Sequence, residues 1–410
     1  MKKSIYSIFI LAIVMVMFAS CGKDNPIIPG GGDGDGTHAE LWKYEAPIKG
    51  LADIIPAIDE NGNIYIAGQA EGAAGGVCSV VSVDKDGKER WTKTFEDADP
   101  TNVIYADGKV FFGLSNPVKV YALDASSGST LWSKDLSADY DFDRQPVMAF
   151  ANQKLYMCSG QFVTGILIAY NPTDGAELWI KNLYDTWGMS IAVHNEHIYL
   201  NTSTGSLLRY DDNGSSCDST WEFKAESTNR SVLEGNVCVV ENGNVYFRDE
   251  AHIYIVDGAS GTAITDIMLD GSFDNSSSSI TVDGDGNCYL GNGNLNKFSA
   301  SGSKVWETDI TSGIINPNYM QAPTIGENGK FYNGELFSLS CVKSDGTLDW
   351  MLGTEQGVGN LHTVAINIDG NILSYATEKG VLYCYKGDGS KLATQGWAKR
   401  FGTMGNTCSK

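Results

Sequence analysis

Aromatic and cationic side chains stand in the irregular stretches between strand-like runs. Tyr140, Phe142 and Arg144 share one stretch, and Trp187 follows in Asp185-Thr186-Trp187-Gly188; Arg230, Phe273, Tyr319 and His362 each occupy a later one. Such groups suit a binding surface: aromatic faces stack on sugar rings, and Arg with aromatics can hold an extended peptide. The competing expectation is that they plug or staple the central channel. His194-Asn195-Glu196-His197 offers two imidazoles and a carboxylate for a metal, although such residues more often decorate a solvated turn. Asp283-Gly284-Asp285-Gly286-Asn287 hints at a calcium loop, but the twelfth position is Asn294 where a bidentate Glu is required, so a hairpin turn is expected. No Gly-x-Ser-x-Gly and no His-Glu-x-x-His occurs, so hydrolase machinery has no support.

The elements that carry these residues repeat. An aromatic follows a tight turn at Tyr65, Phe111, Tyr156, Tyr199, Tyr246, Tyr289 and Tyr332, and Leu373 ends the series. The intervals run from 41 to 47 residues. A second column is a turn glycine at Gly87, Gly128, Gly175, Gly214, Gly261, Gly302, Gly346 and Gly389. Trp91, Trp132, Trp179, Trp306 and Trp350 stand four residues beyond theirs, and Trp221 comes late after an insertion holding Cys217. Thr265 and Ala393 take the Trp position in the other two copies. Each copy has four short strand-like runs; in the fifth they are 237–241, 244–247, 253–256 and 262–268. Asn-Gly and Asp-Gly turns between them match hairpin chemistry. A four-stranded unit of this period predicts an all-β, eight-bladed β-propeller, because a lone blade cannot cover both faces while stacking in a closed ring does.

Ala122-Leu123-Asp124-Ala125-Ser126-Ser127-Gly128-Ser129-Thr130-Leu131-Trp132, and the matching run from Ala169 to Trp179, resemble the tryptophan-docking repeat of PQQ-like propellers. The likeness covers 41–410; WD40 and kelch propellers share the period, but neither a Trp-Asp ending nor a double-glycine signature is present. The resemblance also brings a quinone-dependent dehydrogenase into view. Those enzymes usually carry adjacent cysteines beneath the cofactor, and here there is no Cys-Cys pair and no Cys-x-x-Cys-His haem motif. The expectation is therefore no cofactor and no catalysis. Closure of blade 8 has two candidate strands, Leu41-Trp42-Lys43-Tyr44 and the run from Gly396 to Phe401. The former is the simpler, and the tail from Trp397 to Thr407 resembles the closing segment of PQQ-like repeat proteins.

Ahead of the repeats, Lys2 and Lys3 precede an apolar run that is short for a membrane span, and Phe18-Ala19-Ser20-Cys21 resembles the lipobox of bacterial lipoproteins. The resemblance implies a signal peptide over 1–20, lipidation at Cys21 and passage to the outer membrane. Pro26 to Gly36 lies in a Gly/Pro/Asp tether spanning 21–40. The eight other cysteines suggest no disulfide framework, since Cys341 and Cys384 share a third-strand column and Cys158, Cys238 and Cys288 sit inside strand runs.

Composition narrows the partners. Over 410 residues, 29 Lys+Arg against 50 Asp+Glu give a formal net charge of −21, so the basic footprint of a nucleic-acid binder is missing. Three functions fit, in this order: a monomeric lipoprotein whose propeller face binds a glycan or partner protein; an accessory scaffold of outer-membrane protein assembly, whose propeller lipoprotein the chain resembles in fold, anchor and size; and the quinone enzyme. In a propeller, turns after the first and third strands share one face. Connections after the second strand and between blades share the other, which is where Tyr140, Trp187, Arg230 and their counterparts would ring one mouth of the channel.

Overall fold

The computed structural model describes residues 38–49, 54–70, 76–96, 99–115, 117–140, 142, 145–161, 164–186, 188–225, 237–249, 251–269, 279–291, 294–310, 322–334, 338–353, 363–377 and 379–410. They form eight antiparallel sheets, the blades of a propeller. Blade 1 consists of Ala57–Ile58, Ile64–Ala70, Val77–Val83 and Glu89–Glu96, with Ile48–Lys49 pairing beside the far end of Ile64–Ala70. Blades 2 to 4 begin at Ile104–Ala106, Val147–Ala151 and Gly188–His194, and end at the outer strands Thr130–Asp135, Glu177–Tyr184 and Cys217–Lys224. Blade 5 comprises Val237–Val239, Asn244–Arg248, His252–Asp257 and Ala263–Met268, close to the expected limits except that Val240 and Glu241 belong to the turn. Blade 6 comprises Thr281–Val282, Cys288–Gly291, Asn294–Phe298 and Lys304–Asp309; blade 7 comprises Thr324–Ile325, Phe331–Gly334, Ser338–Val342 and Leu348–Gly353. Blade 8 comprises Thr363–Ile366, Ile372–Ala376 and Val381–Tyr385, and its outer strand is Glu40–Glu45 from the other end of the chain. Of the two candidate closures, the N-terminal one is therefore the strand that pairs.

Burial explains the sequence texture. Second and third strands are covered on both faces by neighbouring blades, so they are almost continuously apolar: Lys109–Leu114 and Thr164–Tyr170 are buried after their first residue. Outer strands alternate, as in Glu89–Glu96, where Trp91 and Phe95 are buried between exposed Glu and Thr residues. The turns follow two designs. Asp107 (φ 49°) and Gly108 (φ 72°) make a two-residue hairpin with positive φ at both positions. In blades 1 and 6 an Asp organises a longer turn: Asp283 Oδ1 accepts from the N–H groups of Asp285 and Asn287, and Asp283 Oδ2 accepts from the Tyr289 hydroxyl at 2.6 Å. Asp59 does the same for Asn61, Asn63 and Tyr65. The Asp283 run is thus a hairpin turn whose first carboxylate is engaged by its own loop.

Tryptophan docking joins blade to blade. Trp91 lies on the turn of Gly128 and donates Nε1–H to Ala125 O at 3.0 Å; Trp132 lies on the turn of Gly175 and donates to Pro172 O at 2.9 Å. A Cβ added at Gly128 would stand 2.7 Å from the Trp91 ring, which is why the turn residue has none. Trp42 covers Gly87 in the same way, donating to Lys85 O at 3.1 Å. Trp42 is therefore the docking residue of blade 8, and Ala393 is not in that column: it lies in the tail and donates its N–H to Ile325 O. The reason is closure itself, since the outer strand of the last copy comes from the opposite end of the chain. Thr265 does stand in for Trp in blade 5, keeping one bond from Oγ1 to Ala300 O at 3.1 Å.

Candidate functional site

After blade 8 the chain makes a circuit across the inner strands. Six of the inner strands donate one N–H, from the end that leads into the first turn, to a tail carbonyl. Ile325 donates to Ala398 O, Val282 to Trp397 O, Ile58 to Met404 O, Tyr105 to Gly405 O, Phe150 to Thr407 O and Val193 to Cys408 O, all at 2.8–3.0 Å. Blade 5 contributes a side chain: Glu241 accepts from Gly396 N at 2.9 Å and pairs with Lys410 Nζ at 3.0 Å, tying together two ends of the circuit. The tail thus satisfies inner-strand donors that no fifth strand could reach, and it covers the channel on the face of the tight turns.

A buried polar node sits inside this plug. Lys399 is 2% exposed; its Nζ donates to Pro56 O at 3.2 Å and to Asn406 Oδ1 at 2.5 Å. Asn406 Nδ2 donates in turn to Ile55 O and Val103 O, linking blades 1 and 2. Burial pushes the Lys399 ammonium down to about 7. Cys408, also buried, has its thiol pushed up to about 12 by the same cause, which makes it a poor nucleophile. All eight described cysteines are free and buried.

Arg144, Trp187, Arg230, Phe273, Tyr319 and His362 lie outside the described residues, as does Cys21. Tyr140 and Phe142 are described. A turn closed by Tyr140 N donating to Leu136 O at 2.9 Å leads into them, and their rings stack with centroids 4.9 Å apart and 13° between planes. Phe142 is buried among Leu136, Met148, Phe150 and Ile168; Tyr140 is half-buried against the same cluster. This pair anchors the connection from blade 2 to blade 3, and of the two only Tyr140 retains surface to offer a ligand.

His194 and His197 face each other across their turn, yet His197 Nδ1 lies 2.9 Å from both Asp211 Oδ1 and Arg209 Nη2. Arg209 also donates to Gly258 O of blade 5 at 2.6 Å, so this cluster braces the seam between blades 4 and 5. Sequence reasoning read the tail as a closing segment but missed its circuit across the inner strands and its Lys399–Asn406 node. The available signal was that Trp397, Lys399, Arg400 and Phe401 come after the last turn glycine of the repeat.

The family described as outer membrane protein assembly factor BamB matches the chain over residues 35–191 and 119–313. No curated protein matches the sequence. Among solved structures, BamB from Moraxella catarrhalis superposes with a TM-score of 0.63 at 17% identity, covering 86% of this chain and 98% of that one. A computationally designed protein, Ika8, gives 0.64 at 13% identity over 84% and 99%, and the C-terminal WD40 domain of Sif2 gives 0.59 at 12% over 85% and 97%. At such identities the superpositions speak for the propeller fold alone. The two overlapping matches together span more than half of the sequence, and on that ground the chain belongs to the BamB family of PQQ-like propellers.

Proposed function

We propose that this protein is a non-catalytic accessory of outer-membrane protein assembly, anchored through lipid on Cys21 and presenting its open face to a protein partner. The family match carries this reading. The plug supports it, because a tail bonded to seven blades occupies the tight-turn face and leaves the inter-blade connections as the variable surface. Glycan capture, the other expectation for this face, finds no support in the family match, and burial of Phe142 removes one of its aromatic contacts.

The test is immunoprecipitation of the full-length protein from its native cells after mild cross-linking. Recovery of a β-barrel assembly complex is expected. Retarded migration in polysaccharide gels without any barrel subunit would return the protein to glycan binding. Cys21→Ala should move the protein from the membrane to the soluble fraction, and unchanged membrane retention would remove the lipid anchor from the proposal.

A further inference from the structure

The seam between blades 6 and 7 is built unlike the others. Thr324 Oγ1 donates to Val364 O at 2.6 Å and the Tyr332 hydroxyl reaches Asp388, so these two residues face blade 8. Strand alternation then turns Phe331 and Asn333 toward blade 6, and the Phe331 ring lies 4.3 Å from that of Tyr289. Asn333 is in register with Ser340, and Ser338 is two residues further along the same face. From the other side, Thr281 is in register with Tyr289 and faces blade 7. At the register position of Asn333, other blades place Ile66, Phe112, Met157, Leu200, Phe247 and Leu290; only Ser374 of blade 8 is also polar.

These groups are buried and unpaired. Asn333 is 3% exposed and Ser338 and Ser340 are fully buried. Asn333 Oδ1 and Nδ2, Ser338 Oγ, Ser340 Oγ, Thr281 Oγ1 and Trp306 Nε1 have no hydrogen-bond partner in the protein. They are six of the twelve such atoms among the described residues, gathered in one of eight seams. Leaving them all unpaired would cost a sizeable part of a domain's net stability. The set offers donors and acceptors but no charge, so it suits a small neutral molecule that both donates and accepts.

We infer that the seam between blades 6 and 7 is a binding site for structural water, with roughly two or three long-lived molecules bridging Asn333, Ser338, Ser340 and Thr281, since a buried water makes about three hydrogen bonds. Oxygen-17 relaxation dispersion on the full chain counts such waters. The Asn333→Leu/Ser340→Val double variant takes the side chains that blade 6 and blade 1 use at these positions. It should lower the dispersion amplitude by roughly two to three water equivalents, in line with the sites lost. If that variant does not fold, Ser340→Ala alone should lower the amplitude by about one. An amplitude unchanged in a folded variant, or a crystal structure in which Asn333 and Ser340 bond directly to protein groups, overturns the inference.

Discussion

The seam between blades 3 and 4 and the seam between blades 6 and 7 solve one problem in opposite ways. In the first, a single carboxylate gathers the polar atoms: Asp212 accepts from Trp179 Nε1 at 2.9 Å, from the Tyr156 hydroxyl at 2.6 Å, from Lys154 Nζ at 2.6 Å and from Gly214 N at 2.8 Å. The remaining surface is apolar, with Cys158, Leu167, Ile191 and Leu200 in one cluster. In the second, Trp306 still lies on the turn of Gly346, but its indole N–H has no acceptor and the apolar column is broken by Asn333 and Ser340. Equivalent blades are therefore joined by different polar arrangements. Closure of the ring lets both persist, because opening one seam alone requires the others and the plug to deform.

The largest effect should come from the seam centred on Asp212. Asp212→Ala leaves Lys154 facing a buried void and should cost about 3–5 kcal/mol in urea unfolding. Burial raises the Asp212 carboxyl, but hydrogen bonds from Lys154, Tyr156, Gly214 and Trp179 outweigh it and hold it below the usual carboxylate range. Its stabilisation is present above the unfolded value near 4 and is lost as pH falls through the folded one. Asp212→Asn should therefore flatten the acid limb of a stability–pH profile; an unaltered limb would place acid sensitivity elsewhere.

Docking residues sharpen the contrast next. Trp132→Ala, which empties a buried and bonded indole site, should cost about 3 kcal/mol, against about 1 for Thr265→Ala, measured side by side by thermal unfolding. Equal losses would show that the seams are energetically alike. Inside the plug, Lys399 has a folded value of about 7 against an unfolded value near 10.4, so the unfolded chain binds the extra proton between them. Stability should rise from pH 7 to pH 10, and Lys399→Met should remove that slope while raising stability by about 1–2 kcal/mol at neutral pH. A destabilised Met variant would mean that the bonds to Pro56 and Asn406 outweigh burial. The smallest effect is expected for Gly214→Ala, about 1 kcal/mol from a positive φ alone, because that turn has no ring lying on it.

Much of this architecture was legible in the chain. Tyr65, Tyr156, Tyr199 and Tyr289 recur because their rings sit about 6 Å from Trp91, Trp179, Trp221 and Trp306, and a contact repeated in space leaves a period in sequence. Turn glycines showed for the same reason, being held at positive φ. What occurs once left no such trace. The tail shares no period with the blades, so neither its circuit nor the Lys399–Asn406 node could be placed. Tyr140 and Phe142 were legible as aromatic residues in a connection, but not as a stacked pair with one ring buried.

Local chemistry settled the all-β class, the eight units and the turns between them, because hairpin formation and strand alternation act over a few neighbouring residues. Which end supplies the last strand, why Trp42 rather than Ala393 docks blade 8, and how the bore is covered depended on the ring being closed. Those contacts join residues hundreds of positions apart, such as Tyr375 donating to Ile48 O, and only the folded chain brings them within reach.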